Sequence, residues 1–413
     1  MWTKLDRIQR DIEELAKFNS TPGRGLTRFS LTAEDRAARN YLKKELLGCG
    51  LKVFEDAAGN LTARREGLLQ DAPVVMIGSH FDSVKSGGNF DGPAGVAAAL
   101  ETVRVLSERG IDTLYPIEVV AMIEEEGARF GASLYGSRAM AGKISVAQLK
   151  DRKDSEGISM FDALKNFGFR PEDIAAAQRL PGSIKAFLEL HIEQGPLLES
   201  EGLDIGIVGD IVGIQDLIIK LIGRQGHAGT IPMHLRADAL NAAARVIAKI
   251  SDLAVAAGEG TVATVGWLSV KPGGFNIIPG EAEFSVDIRS GKQAHVDTVT
   301  QGIADFLQEM TQGTGVQFEM TSLMKVEPVR MSAGIVAIET ACCEKMGLKS
   351  RIMSSGAGHD AMVMADLTDV GLLFVPSLAG RSHCPEEWTD YGQLQKGVEV
   401  YLHTVMELAE AQL

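Results

Sequence analysis

The sequence has no long apolar run and few of the residues that build crosslinked or nucleic-acid-binding proteins. No apolar stretch reaches the about 18 residues that a transmembrane helix needs. The four cysteines are too few and too irregular for a disulfide framework or a cysteine-rich zinc site. Basic residues number 41 against 55 acidic ones, and the net charge of −14 argues against nucleic acid and anionic membranes as partners.

The remaining composition is that of a globular protein. Hydrophobic residues make up 45% of the chain and charged residues 23%. A chain of 413 residues is long enough for two domains, each with its own core. Residues 1–18 interleave charged and apolar side chains at helical spacing and lack the apolar core of a signal peptide. We therefore predict an initial amphipathic helix and a cytoplasmic protein that acts on a small molecule.

Metal-binding side chains follow four apolar runs that have the pattern of buried strands. The runs are 74–77, 116–123, 184–192 and 371–376. The side chains at or just past their ends are His80, Asp91, Glu125, Glu126, His191 and His383. Ligands of open α/β sheets gather at the carboxyl ends of the strands, so we expect these groups to lie close together. Histidines with carboxylates match one or two divalent ions, zinc first, with manganese, cobalt or nickel as alternatives.

Residues 211–325 have a different order of elements. They read strand, helix, strand, strand, helix, strand, with the strands at 211–222, 261–270, 281–288 and 316–324 and the helices at 235–257 and 293–311. That order is typical of a ferredoxin-like sandwich. We predict an α/β protein in which this segment is an inserted domain. The first domain would then consist of residues 1–210 and 326–413.

Five motifs, in one order along the chain, resemble the dinuclear-metal aminoacylase and carboxypeptidase superfamily. Within it they resemble the hydantoinase/carbamoylase amidohydrolases. The motifs are GSHFDS at 78–83, GGNFDG at 87–92, EEEG at 124–127, ELHIEQG at 189–195 and SH at 382–383. The resemblance extends over nearly the whole chain. It implies a peptidase-like catalytic domain, an inserted lid and dimerisation domain, and a homodimer formed through that insert.

The resemblance also implies two divalent ions that share one carboxylate. It assigns His80 and His191 to one ion, Glu126 and His383 to the other, and Asp91 to both. Zinc is the expected metal.

Two acidic neighbours of these ligands have implied roles of their own. Glu125 is the implied general base, since water held between two cations has a lowered pKa and a nearby carboxylate can take its proton. Asp82 is expected to hold the imidazole of His80. Cys384 stands beside a predicted ligand, and we assign it no role.

The family's substrate contacts match residues in both predicted domains. They are His227, Gln194, Gln215, Asn276, Arg289 and Gly358. His227 lies in a glycine-bounded loop and is expected to contact the scissile carbonyl and stabilise the oxyanion. Arg289 ends a predicted strand, where a guanidinium can bind a carboxylate through two hydrogen bonds. The amides of Gln194 and Gln215 suit a ureido group.

The sequence thus predicts a hydrolase of the ureido C–N bond in N-carbamoyl-L-amino acids. Allantoate is the alternative substrate, because residues 355–361 look more like the allantoate group, whereas residues 214–217 lack the basic residues of that group. A metallo-aminopeptidase or dipeptidase shares the metal site without needing the amides. A metal-free binding protein on the same fold is the non-enzymatic alternative.

Overall fold

The computed structural model describes residues 1–69 and 71–412, which divide into two compact units. Unit 1 consists of residues 1–209, 331–353 and 358–413, and unit 2 of residues 210–330 with 354–357. No helix in the described part of the chain combines the length and apolarity needed to cross a membrane.

The chain up to the insert alternates helices and strands. Its helices are α1 (Leu5–Ala16), α2 (Ala33–Gly48), α3 (Pro93–Arg109), α4 (Tyr135–Met140), α5 (Val146–Asp151), α6 (Met160–Phe167) and α7 (Leu197–Glu201). Its strands are β1 (Lys52–Glu55), β2 (Leu61–Arg65), β3 (Val74–His80), β4 (Ile117–Met122), β5 (Ile184–Ile192) and β6 (Ile205–Ile211). A 3₁₀ helix, Pro171–Ala177, precedes β5.

The insert contains two long helices and mostly antiparallel strands. These are β7 (Gly213–Ile222), β8 (Gly226–His227), α8 (Ala239–Ala257), β9 (Val262–Thr264), β10 (Leu268–Lys271), β11 (Ile277–Ile278), β12 (Glu281–Ser290), α9 (Gln293–Thr311), β13 (Gln317–Val326) and β14 (Val329–Arg330). The chain then continues through α10 (Ala333–Met346), β15 (Ser350–Ser355), α11 (Asp360–Met364), β16 (Asp369–Val375) and α12 (Tyr391–Leu408). Two more 3₁₀ helices are Met233–Leu235 and Leu378–Gly380.

Unit 1 is built on a mixed sheet whose strands run in the order β1-β2-β4-β3-β5-β16-β6. The four central strands, β4, β3, β5 and β16, are parallel to one another. Strands β3 and β4 are buried along their whole length, and so is nearly all of α3. Burial on both faces explains why these strands read as continuous apolar runs rather than as alternating patterns. The parallel direction brings four carboxyl ends to one edge.

Unit 2 has the strand order β10-β12-β7-β13, with β9 also paired to β12. Buried and partly buried residues alternate along β7 and β12. The buried face, which includes Leu217, Ile219 and Phe284, packs against apolar residues of α8 and α9 such as Val246 and Ile303. This is the ferredoxin-like order expected from the sequence, and the predicted mixed α/β fold is confirmed.

The predicted single strand at 261–270 is wrong in detail. The structure has two short strands there, β9 and β10, which pair with different parts of β12. Between them the backbone N–H of Trp267 donates to Ser285 Oγ at 3.3 Å instead of to a regular ladder partner. The apolar pattern cannot show such an interruption, because the side chains on both sides of it keep the composition of a strand.

Candidate metal centre

The carboxyl-terminal edge of the unit 1 sheet carries the predicted metal ligands. His80 is the last residue of β3, and His191 lies near the end of β5. The three glutamates follow β4 directly, and β16 leads through a loop to His383. Asp91 reaches the same edge from the loop before α3. Gly92 adopts φ +80°, and a Cβ there would lie 2.4 Å from Cε1 of His80. Glycine is therefore required for the Asp91 loop to approach the His80 ring this closely.

Asp91 stands at the centre of the cluster with its two oxygens directed to different partners. Its Oδ1 lies 3.4 Å from Nε2 of His80 and 3.2 Å from Nε2 of His191. Its Oδ2 lies 3.3 Å from Nε2 of His383, and that nitrogen is 3.5 Å from Oε2 of Glu126. This arrangement divides the side chains into two groups that share one carboxylate.

Backbone carbonyls fix the protonation of the two histidines on the strands. Nδ1 of His80 lies 3.3 Å from the carbonyl of Asp82, and Nδ1 of His191 lies 2.9 Å from that of Ile192. A carbonyl oxygen only accepts, so each Nδ1 carries its proton and the lone pair of the neutral ring is on Nε2. Both Nε2 atoms point at Asp91. This is the tautomer that ligates a metal.

The three adjacent glutamates have three different environments. Glu124, at φ +54°, turns its carboxylate away from the cluster, and Oε1 accepts from the backbone N–H of Arg129 at 3.2 Å and Phe130 at 2.8 Å. Glu125 directs Oε2 toward Nε2 of His80 at 3.9 Å. Glu126 faces His383, and its Oε1 is buried without a hydrogen-bond partner among the described residues.

The carboxylate of Asp82 orients two of these glutamates through their backbone. Its Oδ1 accepts from the N–H of Glu125 at 3.1 Å, and its Oδ2 accepts from the N–H of Glu126 at 3.3 Å. The same carboxylate is 3.6 Å from Nδ1 of His80. Asp82 therefore contacts His80 more closely through its carbonyl than through its side chain.

The pKa shifts show a cluster that needs positive charge. Burial, together with neighbouring carboxylates, raises the pKa of Glu125 well above its ordinary value and that of Glu126 to about 7. Burial also opposes ionisation of Asp91, but the imidazoles of His191, His383 and His80, when protonated, hold its pKa well below the ordinary range. Burial opposes a charge on His80 as well, and Glu125, Asp82 and Asp91 outweigh it and raise that pKa. A divalent cation would supply the same compensation.

The donor set fits a divalent metal. Three groups bring their ligand atoms within 4.8 Å of one another: His80 with Asp91 and His191, His80 with Glu125 and Glu126, and Asp91 with Glu126 and His383. Imidazole nitrogens with carboxylate oxygens are the ligands of zinc and related ions. The buried, unpartnered Oε1 of Glu126 is a free ligand atom at this site.

Gln194, which we predicted to bind substrate, lies against the same cluster. It adopts φ +57°, and its Nε2 donates to Oδ2 of Asp91 at 2.7 Å. Its Oε1 is buried and has no hydrogen-bond partner among the described residues. Gly358 directly precedes the buried His359, whose ring contacts that of His191 with 4.6 Å between centroids.

Unit 2 brings His227 and Asn276 together through the pairing of β8 with β11. The backbone N–H of Ala228 donates to the carbonyl of Asn276 at 2.9 Å. Nδ1 of His227 accepts from the N–H of Gly229 at 3.1 Å, so the neutral ring carries its proton on Nε2. The side chain is exposed. His227 can therefore donate a hydrogen bond from Nε2, as an oxyanion requires.

Arg289 and Gln215 are both engaged within unit 2. Arg289 binds Asp287 through Nε and Nη2, each at 2.9 Å, and its Nη1 donates to the carbonyl of Gly356 at 2.8 Å. Two of its five N–H groups are left for another acceptor. Nε2 of Gln215 donates to Oγ of Ser322 at 2.8 Å and to the carbonyl of Met324 at 2.9 Å, at a bulge in β13. The contact of Gln215 with substrate stays a prediction.

A comparison with known protein families decides where this chain belongs. The model of peptidase family M20/M25/M40 matches residues 76–407, which include every predicted ligand of the cluster. The chain belongs to this family.

Relatives within the M20/M25/M40 family match nearly the whole chain. It is 44% identical over 405 residues to an N-carbamoyl-L-amino-acid amidohydrolase of Paenarthrobacter aurescens, with 98% of each protein covered. It is 35% identical to an allantoate amidohydrolase of Escherichia coli, with 97% of each covered. A solved hydantoinase/carbamoylase family amidase from Burkholderia multivorans superposes with a TM-score of 0.91 at 34% identity and 98% coverage of both chains. The resemblance to hydantoinase/carbamoylase amidohydrolases is confirmed.

Two buried glutamates that support this M20-family site, Glu189 and Glu387, were not predicted from the sequence. Glu189 accepts from Oγ of Ser79 at 2.6 Å and from the N–H of Ala361 at 3.0 Å, so it ties β3 and β5 to α11. Glu189 precedes His191 by two residues on β5, and side chains two residues apart on a strand point to the same face of the sheet. This spacing could have indicated that Glu189 lies near His191. Glu387 contacts the Asp91 loop, and no pattern in the sequence links those two segments.

Proposed function

We propose that this protein hydrolyses the ureido C–N bond of N-carbamoyl-L-amino acids in a metal-dependent reaction. The products are the free amino acid, ammonia and carbon dioxide. The observation that carries the proposal is the position of Asp91, whose two oxygens face His80 with His191 and His383 with Glu126. Such a shared carboxylate suits two divalent ions. The similarity to amidohydrolases named for carbamoyl amino acids supports the choice of substrate.

We propose two ions for each chain, zinc first, with manganese, cobalt or nickel as alternatives. His80 and His191 would hold one, Glu126 and His383 the other, and Asp91 both. When bound, divalent ions act as Lewis acids that make water more acidic and polarise a carbonyl oxygen.

Glu125 is the proposed general base. Its carboxylate faces the cluster beside His80, and its backbone is fixed by Asp82 and by the N–H of Leu134, which donates to the Glu125 carbonyl at 2.8 Å. From this position it would take a proton from the attacking water and return it to the leaving nitrogen. The proton on Nε2 of His227 would stabilise the negative charge that develops on the carbonyl oxygen.

The other substrate contacts are proposals from the family resemblance. Arg289 would bind the carboxylate of the amino acid with the N–H groups that Asp287 and Gly356 leave free. The unpartnered Oε1 of Gln194 suits the N–H groups of a ureido substrate. Asn276 and Gly358 would add a side-chain and a backbone contact.

A homodimer formed through unit 2 is also part of the proposal. Strand β13 is an edge strand of that sheet, and it exposes Leu323 and Met324, at 66% and 40% of their surface. An open strand edge with apolar side chains favours pairing across a two-fold axis.

Allantoate is the second candidate substrate, favoured by the segment 355–361 and by the similarity to an allantoate amidohydrolase. The deciding experiment measures ammonia release from a panel of N-carbamoyl-L-amino acids, their D enantiomers, allantoate and dipeptides. We expect the fastest release from L-carbamoyl compounds. Faster turnover of allantoate would select the alternative, and amino acid release from dipeptides without ammonia release would refute both.

A further inference from the structure

Glu387 joins two loops of the metal centre without belonging to the ligand set. It lies four residues after His383 and is only 4% exposed. Its Oε1 accepts hydrogen bonds from the backbone N–H groups of Phe90 at 2.9 Å and Asp91 at 3.1 Å. Its Oε2 lies 3.0 Å from Oγ of Ser382. One buried carboxylate therefore connects the loop that carries Asp91 to the loop that carries His383.

Ser382 extends this connection to the side chain of Asp91. Its Oγ is 2.8 Å from Oδ2 of Asp91, the oxygen that lies 3.3 Å from Nε2 of His383. A hydroxyl has one proton, so Ser382 donates to one of the two carboxylates at a time, while its Oγ lies within hydrogen-bond distance of both. Both the backbone and the side chain of Asp91 are thus held by contacts that lead to Glu387.

The shape of the Asp91 loop is fitted to Glu387. A Cβ on Gly88 would lie 2.2 Å from the carboxyl carbon of Glu387, so only glycine allows the loop to close on this side chain. The ring of Phe90 packs on Trp388 with 5.3 Å between centroids and on Tyr391 with 5.6 Å. Apolar packing therefore joins the same two segments that the carboxylate joins.

We infer that Glu387 is a positioning residue for the metal centre: it sets the orientation of Asp91, the shared ligand, relative to His383. The inference rests on the proposed metal centre and adds a residue to it. Groups that orient a metal ligand change metal affinity by about 10- to 100-fold when they are removed. We expect an effect of that size from Glu387, although it contacts no ion.

Replacing Glu387 by glutamine and by alanine separates the effect of its hydrogen bonds from the effect of its charge. In Glu387→Gln the amide oxygen can still accept from the N–H groups of Phe90 and Asp91, and the NH₂ group can donate to Ser382 Oγ, which then donates to Asp91. This variant keeps the geometry and removes the charge. Glu387→Ala removes all three contacts. Glu386→Ala is the matched control, because Glu386 is the neighbouring residue and is exposed. If Glu387→Ala does not fold, Glu387→Asp, one methylene too short to reach both loops, takes its place.

The readout is zinc affinity, measured by titrating chelator-stripped protein in competition with a chromophoric chelator. Positioning predicts an about 10- to 100-fold weaker zinc affinity for Glu387→Ala, and an affinity within about threefold of wild type for Glu387→Gln and Glu386→Ala. The thermal midpoints of the stripped proteins report any general loss of stability. A folded Glu387→Ala that binds zinc like wild type would overturn the inference, and so would an equal loss in Glu387→Gln. Wild-type protein that binds zinc without hydrolysing carbamoyl compounds would refute the proposed function alone.

Discussion

Replacing each of the three adjacent glutamates by glutamine should give three different results. The carboxylate of Glu124 accepts two backbone N–H groups through one oxygen, and an amide oxygen can do the same. Glu125 faces His80, and Glu126 faces His383 with one oxygen unpartnered. All three replacements conserve size and remove one charge, so Glu124→Gln is the matched control for the other two.

The expected size of each effect follows from these environments. Glu125→Gln should keep metal and substrate binding and lower kcat by roughly 10²- to 10⁴-fold, the usual contribution of a positioned general base. That range corresponds to about 2.7–5.4 kcal/mol of transition-state stabilisation. Glu126→Gln should lose metal, because a ligand is replaced. Glu124→Gln should stay within about twofold of wild type in kcat, since its hydrogen bonds remain.

The assay combines metal content, by elemental analysis after dialysis, with steady-state kinetics on one N-carbamoyl-L-amino acid. Kinetics are expressed per bound metal, so that loss of metal and loss of proton transfer are separated. If Glu125→Gln lost metal and Glu126→Gln kept it, the two roles would have been exchanged. A drop in kcat for Glu124→Gln as large as that for Glu125→Gln would refute the distinction among the three environments.

Three further predictions address the substrate contacts, the loop before α3 and the assembly. Arg289→Ala should lower kcat/KM by about 100-fold and Arg289→Lys by less, because lysine offers a point charge instead of a fork; a loss below about threefold, ~0.7 kcal/mol, would place the carboxylate contact elsewhere. Gly92→Ala should weaken metal binding, seen by zinc titration, because the new Cβ would displace His80; wild-type affinity would show that the loop can move without cost. Light scattering at micromolar concentration should give twice the chain mass, and Leu323→Lys should shift the mass toward the monomer; a monomeric wild type would exclude the dimer.

That the predicted metal ligands lie close together could be foreseen, because their positions depend on a general property of parallel sheets. His80, Glu126 and His191 follow apolar runs, and the carboxyl ends of parallel strands meet at one edge whatever the intervening sequence. Asp91 needed a further sign, the glycines around it, which mark a loop that approaches other groups closely. The clustering of these four side chains, and of His383 in the loop after β16, could therefore be predicted from the sequence.

Other features depend on contacts between distant segments, which local patterns do not encode. Glu124 and Glu125 are adjacent glutamates, and it is the backbone turn at Glu124, with the N–H groups of Arg129 and Phe130, that directs the Glu124 carboxylate away from the cluster. The amide of Gln215 looks available for substrate in the sequence, whereas a bulge in β13 engages its donors. Glu387 could not be recognised from a local motif, because it accepts a hydrogen bond from Phe90, in a loop 297 residues earlier in the chain.

The most direct test of the account is ammonia release from an N-carbamoyl-L-amino acid by chelator-stripped protein as zinc is added back. We expect no measurable turnover in the stripped protein, and activity that rises with zinc until two ions are bound per chain, because two pairs of predicted ligands share Asp91. Manganese, cobalt or nickel in place of zinc should also restore activity. Full turnover in protein verified to be free of metal would contradict the account.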